Sequence, residues 1–189
     1  MPANTDYYCI DDNYSEEQIL IRNATRDWVK KHVKPHIEEH FQRAETPSYL
    51  VKELSNIGAF GLIIPENYGG VGADYISFGL MMQELEKGDS SIRVISSIQT
   101  SLVMYAIYKF GSEEQRAKYL PKLATGEMLG AFGLTEPDFG SNPSSMHSYY
   151  KEDGDNIVIN GSKMWIGNAE TADIAIIWIK DESAEVRGV

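Results

Sequence analysis

The reading of this chain turns on Ala131-Phe132-Gly133-Leu134-Thr135-Glu136-Pro137-Asp138-Phe139-Gly140-Ser141-Asn142-Pro143-Ser144-Ser145-Met146. A short apolar run leads into Thr-Glu-Pro and then into a loop of Gly, Ser, Asn and Pro. Pro137 lacks a backbone donor and fixes its own φ, and it restricts Glu136 to extended backbone. Gly140 permits a left-handed turn. The chain is predicted to leave a strand here and enter a tight loop rich in N–H groups and hydroxyls. Such a loop suits a ligand with several acceptors, a phosphate or a flavin ring edge. On residue types alone it also reads as a strand-end turn whose polar side chains satisfy their own backbone.

Upstream of this stretch the pattern is helical. Ser15 with Gln18 is a capping box, and Ile19, Leu20, Ala24, Trp28, Val29 and Val33 recur at helical spacing. Pro35 is expected to kink that helix, Thr46-Pro47 to open another and Gly58 to close it. Asp74 is predicted to cap a helix ending near Gly88. A further helix covers about 90–110, and Ser112 with Gln115 caps the next, which is expected to break at Pro121. Residues 1–14 are polar and read as loose. Downstream the period changes to that of strands, over 128–134, 145–151, 156–163 and 173–180, with a hairpin turn at 151–156. The fold class is therefore α+β: an all-α domain over 1–127, then an incomplete antiparallel sheet or barrel over 128–189. A four-stranded remnant has no second layer to cover it.

Composition sets bounds. The chain has 189 residues, 42% of them hydrophobic, and a formal charge of -11, which disfavours nucleic acid as a partner. No apolar run is long enough for a membrane span, and residues 1–9 lack the features of a signal peptide. A cytoplasmic protein is expected, or a mitochondrial matrix one if a presequence has been removed. Cys9 is the only cysteine, so neither an internal disulfide nor a zinc-thiolate cluster is available. His32, His36 and His40 recur every four residues, but among charged neighbours they read as a solvated face, and no metal site is assigned.

Two further positions carry candidate chemistry. Trp165, before a Gly-Asn turn, either stacks on a planar cofactor or is a core or rim indole. Arg93 opens a helix whose next residues, Val94 to Met104, are almost uncharged and hence buried. A guanidinium at such a mouth seeks a carboxylate, from a ligand or from Asp89 or Glu86.

With these residues quoted, the sequence resembles the acyl-CoA dehydrogenases, and within them the glutaryl-CoA dehydrogenases. The resemblance rests on Ser101-Leu102-Val103-Met104, Gly111-Ser112-Glu113-Glu114-Gln115-Arg116, Lys118-Tyr119-Leu120-Pro121, Leu134-Thr135-Glu136-Pro137, Gly140-Ser141, Pro143-Ser144-Ser145-Met146 and Lys163-Met164-Trp165-Ile166. It implies an FAD site formed by Phe132, Gly133, Leu134, Thr135, Glu136, Gly140, Ser141, Trp165, Ile166 and Gly167. It further implies a substrate site at Arg93, Val94, Ser97, Ile98 and Ser141, with Arg93 pairing with the distal carboxylate of glutaryl-CoA. The implied reaction is α,β-dehydrogenation and loss of CO2 to give crotonyl-CoA, in lysine and tryptophan degradation. An electron-transfer flavoprotein would be the acceptor and a homotetramer the assembly. A dehydrogenase for a medium or branched acyl-CoA, or a non-catalytic acyl-CoA or partner-binding chain, is the alternative. Asn142, Gly167 and Val94 depart from the family pattern, where Asp, Thr or Ser, and Ser are usual. The family's C-terminal helical domain, with its catalytic Glu, is absent from this sequence, so no catalytic base is assigned. Residues 1–189 alone are expected to be inactive and to hold FAD weakly.

Overall fold

The computed structural model describes residues 7–189. The expected loose start lies partly outside them; within them Ile10–Asn13 forms one 3-10 turn, tied to the first helix by Asp11 and Arg22 at 2.5 Å. Local signals then set the helix starts. In α1 (Glu16–Trp28) the Ser15 hydroxyl accepts the Gln18 N–H while the Gln18 side chain accepts the Ser15 N–H. Gln18 Nε2 also donates to Asp74 at 2.6 Å. Asp74 itself caps α4 (Tyr75–Glu86), so the two caps are joined. After α1 the helix widens into a π-helical turn, Val29–Val33, and Pro35 separates it from α2 (Ile37–Arg43). Pro47 precedes α3 (Tyr49–Asn56) by a turn rather than sitting inside it.

The helix expected over 90–110 is one rod with a changed middle: α5 (Ser90–Ser97), a π-helical stretch Ile98–Met104, and α6 (Tyr105–Phe110). It spans two cores. One holds Leu50, Leu54, Phe60, Leu85 and Ile92; the other holds Ile64, Val103, Met104, Leu120 and Leu123. The uncharged run after Arg93 is largely buried, as its composition implied, with Leu102 exposed. Helix α7 (Glu113–Ala124) starts at the Ser112–Gln115 capping box and continues through Pro121. The expected break does not occur because the proline sits in the exposed last turns, where water can take the carbonyl that it orphans.

The sheet comprises β1 (Gly130–Gly133), β2 (Tyr149–Asp153), β3 (Asn156–Asn160), β4 (Ile174–Lys180) and β5 (Val186–Gly188). The last was not expected as a strand. The order is β1-β4-β2-β3, with β5 also paired to β4. The hairpin β2–β3 turns at Gly154 as predicted, pairing Tyr149 with Asn160 and Asp153 with Asn156. The sheet is mixed rather than antiparallel throughout. β1 runs parallel to β4, Gly130 opposite Ile174, and β2 meets β4 in parallel at Tyr149 and Lys180. The long connection through the hairpin allows this, since parallel neighbours need a crossover and not a tight turn. The sheet is not closed among the described residues.

Gln99 locks the sheet to the rod. Its Nε2 donates to Leu123 O and Met128 O, both at 2.8 Å, and its Oε1 accepts the Gly130 N–H at 2.9 Å. Gly130 is required at that crossing, because a Cβ there would lie 2.6 Å from Val103 Cγ1. β1 is thereby laid on the π-helical stretch.

Candidate functional site at two joined strand-end loops

The loop after β1 begins at Leu134. Glu136 and Phe139 close a tight turn through reciprocal N–H···O bonds of 3.1 and 3.2 Å. Gly140 and Ser141 follow, exposed, and Asn142 turns the chain by bonding Ser144 and Ser145. The strand expected from Ser145 begins only at Tyr149, because Pro143–Ser145 forms a 3-10 turn. The second loop leaves β3 at Asn160 and runs through Lys163 to Asn168. The two meet where the Met164 N–H donates to Thr135 O at 2.9 Å. The hydroxyl-bearing loop and the tryptophan loop, far apart in sequence, are therefore one unit.

Lys163 and Glu136 hold that unit together. Lys163 Nζ lies 2.8 Å from Glu136 Oε1 and 3.1 Å from Leu134 O. The side chains are 11% and 4% exposed, respectively. Glu136 also accepts the backbone N–H groups of His147 and Ser148, at 2.6 and 2.9 Å. Burial by itself pushes this carboxyl up, but the Lys163 ammonium and the two backbone donors outweigh it and hold the group at about 2. The expectation that Glu136 contributes to a cofactor site needs correction for its side chain: the carboxylate is committed inside the protein and serves the loop's shape. Lys163 was quoted only as part of a motif; two opposite charges at otherwise weakly charged strand ends were the signal for the pair.

Trp165 is not a core or rim indole. It is 83% exposed and sits at φ 62, a costly conformation for a bulky residue. Thr135 Oγ1, Ser141 Oγ and the Trp165 indole N–H have no hydrogen-bond partner among the described residues. Two unengaged hydroxyls and a presented aromatic face, on loops fixed by a buried ion pair, fit the edge and plane of a flavin. Phe132 faces elsewhere, its ring 5.9 Å from that of Trp178, packed with the second core. Gly133 is buried beside Ile177, at a contact a Cβ would make at 2.8 Å. These two support the loop from beneath.

Across from the loops lies α5. Arg93 Nε donates to Glu86 at 2.6 Å, and its Nη1 reaches Ser97 Oγ at 3.4 Å. Of the two acidic partners considered from the sequence, it is Glu86. The Arg93 guanidinium beside it, with the Ser90 hydroxyl, lowers the Glu86 carboxyl below its usual range. Val94 and Ile98, one helical turn apart, face Gly167. A cleft of about 770 Å³ opens between this helix and the Trp165 loop, lined by Ser91, Val94, Ile95, Ile166, Gly167 and Asn168 among others. Ser96 is not a ligand candidate, since its hydroxyl donates to Ala59 O at 2.8 Å inside the core. The three helix histidines pack on aromatic rings: His32 stacks on Trp28, and His36 and His40 flank Tyr49. No helix among the described residues is long and apolar enough to cross a membrane.

Comparison with known proteins places this geometry. Residues 15–127 match the acyl-CoA dehydrogenase N-terminal domain, and residues 131–189 match the acyl-CoA dehydrogenase middle domain. A glutaryl-CoA dehydrogenase of Desulfococcus multivorans is 37% identical over 188 residues, covering 95% of this chain and 47% of that protein. An acyl-CoA dehydrogenase of Bacillus subtilis is 39% identical over 162 residues, covering 86% and 43%. Among solved structures, a Mycobacterium smegmatis glutaryl-CoA dehydrogenase in complex with FADH2 superimposes with a TM-score of 0.92 at 42% identity, covering 96% of this chain and 46% of that one. The chain thus spans about half the length of the curated relatives it matches, and its helical domain and mixed sheet are those of the acyl-CoA dehydrogenase family, to which it belongs.

Proposed function

We propose that this chain forms the flavin-facing and substrate-facing wall of an FAD-dependent acyl-CoA dehydrogenase that acts on glutaryl-CoA. The observation that carries the reading is the junction at Thr135 and Met164, which joins the hydroxyl-bearing loop to the loop of the exposed Trp165 indole, whose Gly167 packs against Val94 and Ile98 of the helix that carries Arg93. FAD bound there would supply a hydride acceptor for the substrate β carbon. Thr135 would donate to the ring edge, Trp165 would cover the ring plane, and Ser141 would meet the diphosphate or the thioester arm. Leu134, Gly140, Ile166 and Gly167 would supply backbone along the ring, with Phe132, Gly133 and Glu136 holding the loop from inside. FAD-containing relatives of the same fold support the cofactor.

Arg93 supports a substrate with a distal carboxylate. Its present partner, Glu86, is exposed, and an ion pair in water is readily exchanged. A bound carboxylate on the same helix face, with Ser97 beside it and Val94 and Ile98 along the acyl chain, could take that partner's place. The Arg93–Glu86 pair also favours a second reading, a dehydrogenase for an uncharged short or branched acyl-CoA, in which the pair is structural. Relatives of both kinds are similarly close. In either case we place the base for the α proton outside the described residues, as the family resemblance implies; the two buried glutamates, Glu84 and Glu136, are committed to ion pairs. A homotetramer served by an electron-transfer flavoprotein completes the proposal.

The test is Arg93→Gln in the full-length enzyme, assayed with glutaryl-CoA and butyryl-CoA. Selective loss of glutaryl-CoA turnover is expected; equal effects on both would establish the second reading. Bound FAD with turnover in residues 1–189 alone would overturn the assignment of the base.

A further inference from the structure

Gly167 lies in a turn whose two left-handed positions are taken by other residues, Trp165 at φ 62 and Asn168 at φ 63, while Gly167 itself is not at positive φ. Backbone conformation therefore does not call for glycine there, and what distinguishes the position is space. A Cβ at 167 would lie 2.4 Å from Ile98 Cδ1, but 3.9 Å from Ile98 Cγ1 and 3.7 Å from Val94 Cγ1. One methyl group of Ile98 thus occupies the volume a side chain at 167 would fill. Ile98 is buried and is the first residue of the π-helical stretch, so its δ-methyl, the end of the side chain, has to turn within a packed core to make room. The turn is held on its other side as well: Asn168 Nδ2 donates to Gly130 O at 3.2 Å, and Asn168 O accepts the N–H groups of Thr171 and Ala172 at 3.0 and 2.8 Å. Fixed from β1 and from α5, it leaves Trp165 projecting into solvent.

We propose that the Ile98 δ-methyl and Gly167 form a knob-and-gap contact that positions the Trp165 turn against α5, and that residue 98 is thereby a determinant of acyl-chain selectivity. The second half rests on the acyl-CoA reading above. Val94 and Gly167 line the cleft between helix and turn. A change in the knob therefore shifts the wall that carries Trp165 as well as the space beside it. Ile98 is a positioning residue for Trp165, acting through Gly167.

The experiment moves one methyl group across the contact. Gly167→Ala, Ile98→Val and the double variant are compared with the parent by thermal midpoint and by acrylamide quenching of Trp165, which is exposed while Trp28 is buried and Trp178 half-buried. In the full-length enzyme the KM ratio of butyryl-CoA to octanoyl-CoA is measured for the same four forms. Gly167→Ala is expected to lower the midpoint, alter the quenching and shift the KM ratio by about tenfold, the scale on which a hydrophobic pocket senses one methylene. The double variant should return all three towards the parent values, because Val keeps Cγ1 at an ordinary distance and removes the clashing atom. If Gly167→Ala does not fold, folding of the double variant is itself the rescue. Parent-like behaviour of Gly167→Ala, or a double variant no nearer the parent than Gly167→Ala, overturns the proposal. FAD titration of the full-length parent separates the two readings: no flavin binding alongside an intact quenching rescue refutes the flavin site and upholds the contact.

Discussion

Lys163→Met removes the cation that joins the two loops while nearly keeping the volume of its stem. In the parent, Glu136 is held at about 2 against an ordinary 4.5. A tenfold change in proton affinity is worth about 1.4 kcal/mol, so the folded state gains about 3 kcal/mol from keeping this carboxylate charged. That gain comes from Lys163 and from the N–H groups of His147 and Ser148, opposed by burial. Without the ammonium, the two backbone donors remain but the desolvation cost is no longer covered, and Leu134 O loses its donor. Loss of one partner of a buried pair costs about 3–5 kcal/mol; with two donors left, about 3 kcal/mol is expected here. The sign with pH follows from the direction of the shift. A depressed carboxyl stabilises the fold fully above 4.5 and loses that contribution as pH falls from 4.5 towards 2. Urea unfolding of the parent and of Lys163→Met, from pH 7 down to pH 3, measures both effects. The gap between the two proteins should be largest at pH 7 and narrow below pH 4.5. A variant within about 0.5 kcal/mol of the parent at pH 7, or a gap that does not change with pH, would refute the reasoning, since that is the scatter of neutral surface changes.

Gln99→Leu should cost about 2–4 kcal/mol in chemical denaturation, because it strands Leu123 O, Met128 O and the Gly130 N–H in a buried junction. Trp165→Gly should not destabilise the chain and should raise its thermal stability by up to about 1 kcal/mol, since it relieves a positive φ and gives up an exposed side chain. The same change should abolish flavin binding in the full-length enzyme; a large loss of stability instead would mean that the ring is packed. Arg93→Gln should leave the melting temperature unchanged, as exposed pairs contribute little, while altering substrate preference. A marked drop would assign the pair with Glu86 a structural role.

Much of the helical half was legible because its signals are local. Ser15 with Gln18, Ser112 with Gln115, and Asp74 each bond within three residues of themselves, so the chain needs no distant partner to use them. The uncharged run after Arg93 had to be buried wherever it packed. The hairpin at Gly154 is local in the same way. What was misread depends on solvent and on pairing. Pro121 stays within a helix because that turn is exposed, and the sheet is mixed because β1 finds β4 across an intervening hairpin, a choice that strand patterns do not encode.

The sequence by itself determined that a hydroxyl-rich strand-end loop and a tryptophan-bearing loop exist, that an arginine stands at the mouth of a buried helix, and, through its motifs, the family. Only the tertiary structure decided that the loops are one unit, that Glu136 faces inward to Lys163, that Arg93 rests on Glu86, and that Gly167 is the gap for Ile98. Each of these is a contact between residues brought together by packing, and its energy depends on burial and distance, which no linear pattern carries.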